Sequence, residues 1–224
     1  MPRPSETCPK PYNMPQTDPT LAYCFTHSSP LSGILHDLER ETHLRTHGPQ
    51  MLSGEYQGQL LRFLSLMLRP KRVLEIGTFT GYTAICMAEG LAEGGVLHTI
   101  EANDELGWLI QKYIQRADMV QKIVLHLGDA AEVMPTLDEV FDLVFLDAGK
   151  LDYPAHYEMA LAKMRSGGFL LADNVLWDGK VASGNERDET ARALRAFNDF
   201  VQQDERVENL LLPFRDGLMV VRKK

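Results

Sequence analysis

From residue 72 to residue 173 the chain alternates between two kinds of segment, and that alternation restricts its fold more than any other feature. Short apolar runs at 72–76, 96–101, 122–126, 141–147 and 168–173 are separated by segments of helical periodicity at about 83–93, 105–117, 130–137 and 153–165. Strands that alternate with helices of this length form βαβ units, whose crossovers lay helices on both faces of a parallel sheet. Leu143, Val144, Phe145 and Leu146 form an unbroken apolar run, as a strand covered on both faces requires. After a further helix at about 188–202, the runs "VENLLLP" and "GLMVVRK" are joined by "FRDG". That link is too short for a crossover, so these two strands must be antiparallel.

The expected fold is α/β: a Rossmann-like, doubly wound sheet of seven strands, mostly parallel with an antiparallel last strand, and helices on both faces. Ahead of it, Ile34, Leu35 and Leu38, then Leu60, Leu61, Leu64 and Leu68, fall at helical spacing until Pro70 stops the second helix. Residues 1–30 hold Pro2, Pro4, Pro9, Pro11, Pro15, Pro19 and Pro30, a density that interrupts regular structure. They are expected to form an arm, with 31–224 as a single domain; 224 residues suffice for one sizeable core.

The net charge of −8 and pI near 5.4 argue against nucleic acid or a membrane surface as partner, since both reward a basic face. Cys8, Cys24 and Cys86 are odd in number and widely spaced, which indicates neither a disulfide framework nor a zinc knuckle and fits a reducing cytoplasm. "HLRTH" places His43 and His47 four apart, but Leu44 stands where a zinc peptidase needs glutamate, so a solvated helix face is the better reading. The N-terminus has no apolar signal core, and no later segment approaches a membrane helix.

Two features carry chemistry. In "RVLEIGTFTGYTA" a strand runs into Gly77 and Gly81 before a helix, a junction where backbone N–H groups can approach a ligand closely. The G-x-x-x-G spacing matches neither the dinucleotide fingerprint nor the phosphate loop. The next run ends at Glu101, where such folds place a ribose-binding acid. Plain βα turns and a solvated acid are the alternative. The second feature is that two buried runs end in polar groups, Asp147 in "VFLDAGK" and Asp173-Asn174 in "LLADN". Ligands of open α/β sheets bind outside the carboxyl ends of the strands, and two carboxylates with an amide oxygen suit a hard cation such as Mg²⁺. Taken singly, Asp147 would be a helix cap, Asp173-Asn174 a turn, and Lys150 a solvated side chain.

"LEIGTFTGYT" with Glu101 and "GDAAEV" resembles the S-adenosylmethionine site of class I methyltransferases. "VFLDAGKLDYPAHY" with "GGFLLADNVLWDGKV" is similar to the paired motifs of the cation-dependent O-methyltransferases, which include the catechol and caffeoyl-CoA enzymes. The resemblance runs from "MLSGEYQGQLL" to the terminal hairpin. It implies a donor site of Met51, Ser53, Glu75, Gly77, Gly81, Tyr82, Thr83, Glu101, Asp129, Ala130 and Asp147. Further, it implies that Asp147, Asp173 and Asn174 hold Mg²⁺, Mn²⁺ or Ca²⁺, that Lys150 is the general base acting with Asp147 and Asn174, and that the chains pair as homodimers. Trp177 and Tyr153 are either core aromatics or, with Lys150, a wall of the acceptor site. Many relatives carry an acid where this chain has Gly149. The expected activity is methyl transfer to one hydroxyl of a catechol-like molecule. An acyl-CoA ester, whose several negative charges meet no basic cluster, ranks below it; a nucleotide-dependent oxidoreductase and a non-catalytic donor-binding module rank lower still.

Overall fold

The computed structural model describes residues 19–183 and 187–224. Three helices lead in: α1 (Pro19–Thr26), α2 (Gly33–Arg45) and α3 (Gly54–Leu68). Helix α1 corrects the expectation that the proline-rich segment lacks regular structure. Pro19 is its first residue, where a missing N–H costs nothing and the fixed φ suits a helix. Residues 1–18, with Cys8 and the other early prolines, lie outside the described residues.

The alternating region follows as β1 (Arg72–Ile76), α4 (Tyr82–Ala88), β2 (Val96–Glu101), α5 (Gly107–Arg116), β3 (Ile123–Leu127), α6 (Ala130–Thr136), β4 (Phe141–Leu146), α7 (Tyr153–Lys163), β5 (Met164–Asp173), α8 (Lys180–Ser183), α9 (Glu189–Gln203), β6 (Val207–Leu212) and β7 (Leu218–Lys223). The seven strands form one sheet in the order β3-β2-β1-β4-β5-β7-β6. Strands β1 to β5 run parallel, and β7 lies antiparallel between β5 and β6. The expected sheet is thus the observed one.

Two boundaries moved, each for a packing reason. Helix α4 ends at Ala88 rather than near 93 because Gly90 lies against α3: a Cβ there would stand 2.3 Å from the Ser65 carbonyl carbon. Strand β5 begins at Met164 rather than 168, since Met164 pairs with Phe141 before a register shift.

The pleat sorts the apolar runs onto two faces. Leu74, Ile76, Val144, Leu146, Leu170 and Ala172 join one core cluster, and Val73, Leu143, Phe145 and Leu171 the other. Strand order reverses between β1 and β4, which opens a crevice beyond their carboxyl ends. Ile76 pairs with Leu146, and Leu146 with Ala172, so β1, β4 and β5 stop at one level. Gly77 closes this junction. Its φ is +96°, and a Cβ would sit 2.0 Å from the Asp147 carbonyl oxygen, so no larger residue fits between the two strand ends.

Candidate active site

A cavity of about 940 Å³ opens over the ends of β1, β2, β4 and β5. Of the residues singled out from the sequence, Met51, Ser53, Gly77, Tyr82, Thr83, Glu101, Asp129 and Ala130 line it, as do Asp147, Lys150, Asp173, Asn174 and Trp177. Three do not. Gly81 lies behind the wall with φ +90°, and its N–H closes a turn onto Thr78. Glu75 lies under the floor, and Tyr153 is fully buried in the core.

In the first half of the cavity, Glu101 is positioned by the backbone. Its Oε2 accepts the Phe79 N–H at 2.6 Å and its Oε1 accepts the Asn103 N–H at 2.9 Å. Burial pushes its pKa up, against the pull of these hydrogen bonds. Beneath it, the Thr99 hydroxyl donates to Glu75 Oε2 at 2.5 Å and lies 2.5 Å from the Thr78 hydroxyl. Glu75 Oε1 has no partner, and complete burial raises this carboxyl to about 8. Glu75 is therefore a neutral group at neutral pH. Asp129 caps α6, its Oδ1 accepting the Ala131 N–H at 2.7 Å, as its place ahead of an apolar helix favours.

The second half is built from β4, β5 and the turns after them. Lys150 Nζ donates to Asp147 Oδ1 at 2.7 Å and to the Tyr153 hydroxyl at 2.6 Å. Tyr153, one of the two aromatics offered for the acceptor wall, thus stands behind it. Its ring packs edge-on to Phe197, and its hydroxyl lies 2.9 Å from the Asp173 carbonyl oxygen. Asp173 is 3% exposed. Its Oδ2 accepts from Gln57 Nε2 at 2.6 Å, while Oδ1 has no partner. Burial, and then the charge of Asp147, raise the pKa of Asp173. Asn174, Trp177, Asp178 and Arg215 all adopt left-handed backbone, with φ of 58°, 48°, 52° and 50°. Such strain, of order 1–3 kcal/mol per residue, persists only where the surroundings over-determine it, and it gathers at functional sites.

Gln57, His156 and Arg215 also belong to this cavity or its wall, and the sequence reading missed them. The Gln57–Asp173 bond spans 116 positions; the only local signal was a glutamine on the buried side of an apolar helix. His156 lines the cavity, its Nδ1 buried without a partner and its pKa lowered by burial.

Comparison with known proteins assigns the family. Residues 25–224 match the model of the O-methyltransferase family. The chain belongs to that family. It is 35% identical over 217 residues to the mouse catechol O-methyltransferase domain-containing protein 1, covering 93% of this chain and 81% of that one. Catechol O-methyltransferase of Niastella koreensis is 34% identical over 168 residues, covering 73% of this chain and 76% of its own. Among solved structures, the SAH-bound methyltransferase PaMTH1 of Podospora anserina superposes with a TM-score of 0.86 at 27% identity, covering 96% of this chain and 97% of that one.

Proposed function

We propose that this enzyme transfers a methyl group from S-adenosylmethionine to one hydroxyl of a catechol-like small molecule, assisted by a divalent cation, Mg²⁺ or else Mn²⁺ or Ca²⁺. The observation that carries this reading is one cavity in which Lys150, paired to Asp147, meets Asp173 with a buried oxygen that has no partner. The SAH carried by a structural neighbour supports the choice of donor.

The residues suit the cation. Among the described residues no three or more of His, Cys, Asp and Glu gather as a ligand group, so the donor set is two carboxylates, Asp147 and Asp173, with the Asn174 amide oxygen. An all-oxygen set with positions left over for water or substrate fits a hard cation. When bound, the sulfonium donor would supply an electrophilic methyl group, and the cation would lower the pKa of a catechol hydroxyl.

The protein does the rest. Glu101, oriented by two backbone N–H groups, accepts hydrogen bonds from the ribose hydroxyls of the donor. Asp129 and Ala130 border its base, and Met51, Ser53, Tyr82 and Thr83 surround its methionine end. Lys150 Nζ, once it has given its own proton to solvent, takes the proton of the reacting hydroxyl, with Asp147 and the Tyr153 hydroxyl holding the amine in place. Trp177, half-buried on the cavity wall, offers a flat face to the catechol ring. Alignment of hydroxyl oxygen and methyl carbon supplies much of the remaining acceleration. No covalent enzyme intermediate is required.

A panel of catechols and one catechol acyl-CoA ester, with products identified by NMR, tests the acceptor. The expected product is a catechol methylated on a single oxygen. Turnover of the CoA ester alone would favour the second reading, and methylation of no hydroxyl would end both. On localisation, the reading is cytoplasmic, supported by the free thiols of Cys24 and Cys86; no helix among the described residues is long and apolar enough to cross a membrane. Homodimer formation is supported by Phe63, Leu66 and Met67, which α3 leaves exposed; light scattering giving the 25.3 kDa monomer mass would contradict it.

A further inference from the structure

Arg215 reaches the cavity from the turn between β6 and β7, and the transfer described above gives it no task. Lys150 and Arg215 are the two Lys or Arg side chains on the cavity wall among the described residues. They are held differently. Lys150 is matched by the Asp147 carboxylate, whereas Arg215 donates through Nη1 to two neutral oxygens, the Ser53 carbonyl and Gln57 Oε1. No carboxylate among the described residues lies within ion-pair distance of it. Asp216, its neighbour in the chain, instead accepts the Asp178 N–H. The Nε and Nη2 donors of Arg215 thus have no partner among the described residues, in a side chain exposed at the cavity mouth.

Two further observations give this cation a direction. First, its φ of 50° places a long side chain where glycine would be unstrained, so the guanidinium is kept at a backbone cost. Second, Gln57 joins it to the reaction centre: the amide accepts from Arg215 and donates to Asp173. The cation and the proposed cation ligand are therefore set one amide apart. Apart from His156 and Tyr82, the other ionisable lining is acidic, with Glu101, Asp129, Asp147, Asp152 and Asp173. A polyanion would be repelled by most of this wall; a single negative charge has one place to go.

We propose that Arg215 pairs with a carboxylate on the acceptor, so that the preferred substrate is a catechol bearing one carboxylic acid, its acid at Arg215 and its hydroxyls at Lys150. This rests on the methyl-transfer reading above and narrows it. A planar guanidinium has the fork of donors that a carboxylate accepts two at a time.

The test compares 3,4-dihydroxybenzoic acid with its neutral methyl ester on the wild type, Arg215→Lys and Arg215→Gln, all with Mg²⁺. The wild type should favour the acid in kcat/KM by about tenfold or more, through KM. Loss of a charge-assisted pair corresponds to about 10- to 100-fold. Arg215→Gln should therefore lose the acid at least tenfold more than the ester, with Arg215→Lys between. A merely structural clip between this turn and α3 would lower both compounds alike, and that result would overturn the proposal. So would a wild type indifferent to the acid, or one that prefers the acid's CoA thioester, in which the carboxylate has been consumed. Calorimetric binding of the same two compounds reads the subsite without turnover. If neither is methylated, yet the acid binds the wild type better than the ester does and Arg215→Gln removes that preference, the methyl-transfer reading falls and the anion subsite stands. Acid binding no tighter than ester binding overturns the subsite.

Discussion

Glu75→Gln should make the protein more resistant to rising pH. The buried carboxyl of Glu75 has its pKa raised from 4.5 to about 8, first by burial and then by the charges of Asp147 and Glu101, against the pull of the nearby Thr83 and Thr99 hydroxyls. In the unfolded chain the same group ionises near 4.5. Below that value both states are protonated, and the neutral side chain imposes no pH-dependent cost. Above it, the unfolded state releases a proton that the folded state keeps, and stability falls until the pH passes about 8. At 1.36 kcal/mol per pH unit, the loss accumulated by pH 7 is roughly 3 kcal/mol. Glutamine never ionises, and its carbonyl oxygen can still accept from the Thr99 hydroxyl. Its amide would take the place of the unpartnered Oε1 and leave a buried donor unpaired, a pH-independent cost of about 1–3 kcal/mol. The offset between the two proteins is therefore secondary, and the slope decides. Urea unfolding of the metal-free wild type and variant, at several pH values from 4.5 to 8, should give curves that diverge in the variant's favour by roughly 3 kcal/mol between the acid end and pH 7. Parallel curves would refute the neutral Glu75, and with it the uncharged floor between two cavity carboxylates.

Two further substitutions probe the cavity itself. Glu101→Ala should weaken S-adenosylmethionine binding by about 1.5–3 kcal/mol, the worth of hydrogen bonds to a charged acceptor, with a smaller effect on the acceptor; calorimetry showing unaltered donor affinity in the folded variant would remove Glu101 from the donor site. Lys150→Ala should cut kcat by about 10²- to 10⁴-fold while sparing donor affinity, and the loss should shrink as pH rises and the hydroxyl ionises unaided. A small loss at every pH would leave Lys150 an electrostatic neighbour of Asp147, and unchanged turnover at neutral pH would end its role as base.

The sheet was legible because each central strand is covered on both faces and so carries an uninterrupted apolar run, as Leu143 to Leu146 do. For the same reason the polar ends of those runs, Asp147 and Asp173-Asn174, stood out against their surroundings. Tertiary pairing hid the rest. Met164 enters β5 through its pairing with Phe141, and no local pattern announces that. Gln57 reaches Asp173, and Arg215 reaches Gln57, from distant parts of the chain, so neither belongs to a motif. Tyr153 was ambiguous because an aromatic beside a strand end serves equally as wall or core; its complete burial and the two buried contacts of its hydroxyl with the Leu146 and Asp173 carbonyls put it in the core. Among the described residues, the prolines of the N-terminal segment misled at Pro19, because proline breaks a helix from within but begins one freely.

The central claim is that Asp147, Asp173 and Asn174 hold a cation on which methyl transfer depends. Its most direct test follows a labelled methyl group from S-adenosylmethionine to a simple catechol, first with Mg²⁺, then in excess EDTA, then after Mg²⁺ is restored, with donor binding measured calorimetrically at each stage. Transfer should vanish in EDTA and return with Mg²⁺, while donor affinity stays nearly constant. Full transfer in excess EDTA would contradict the account.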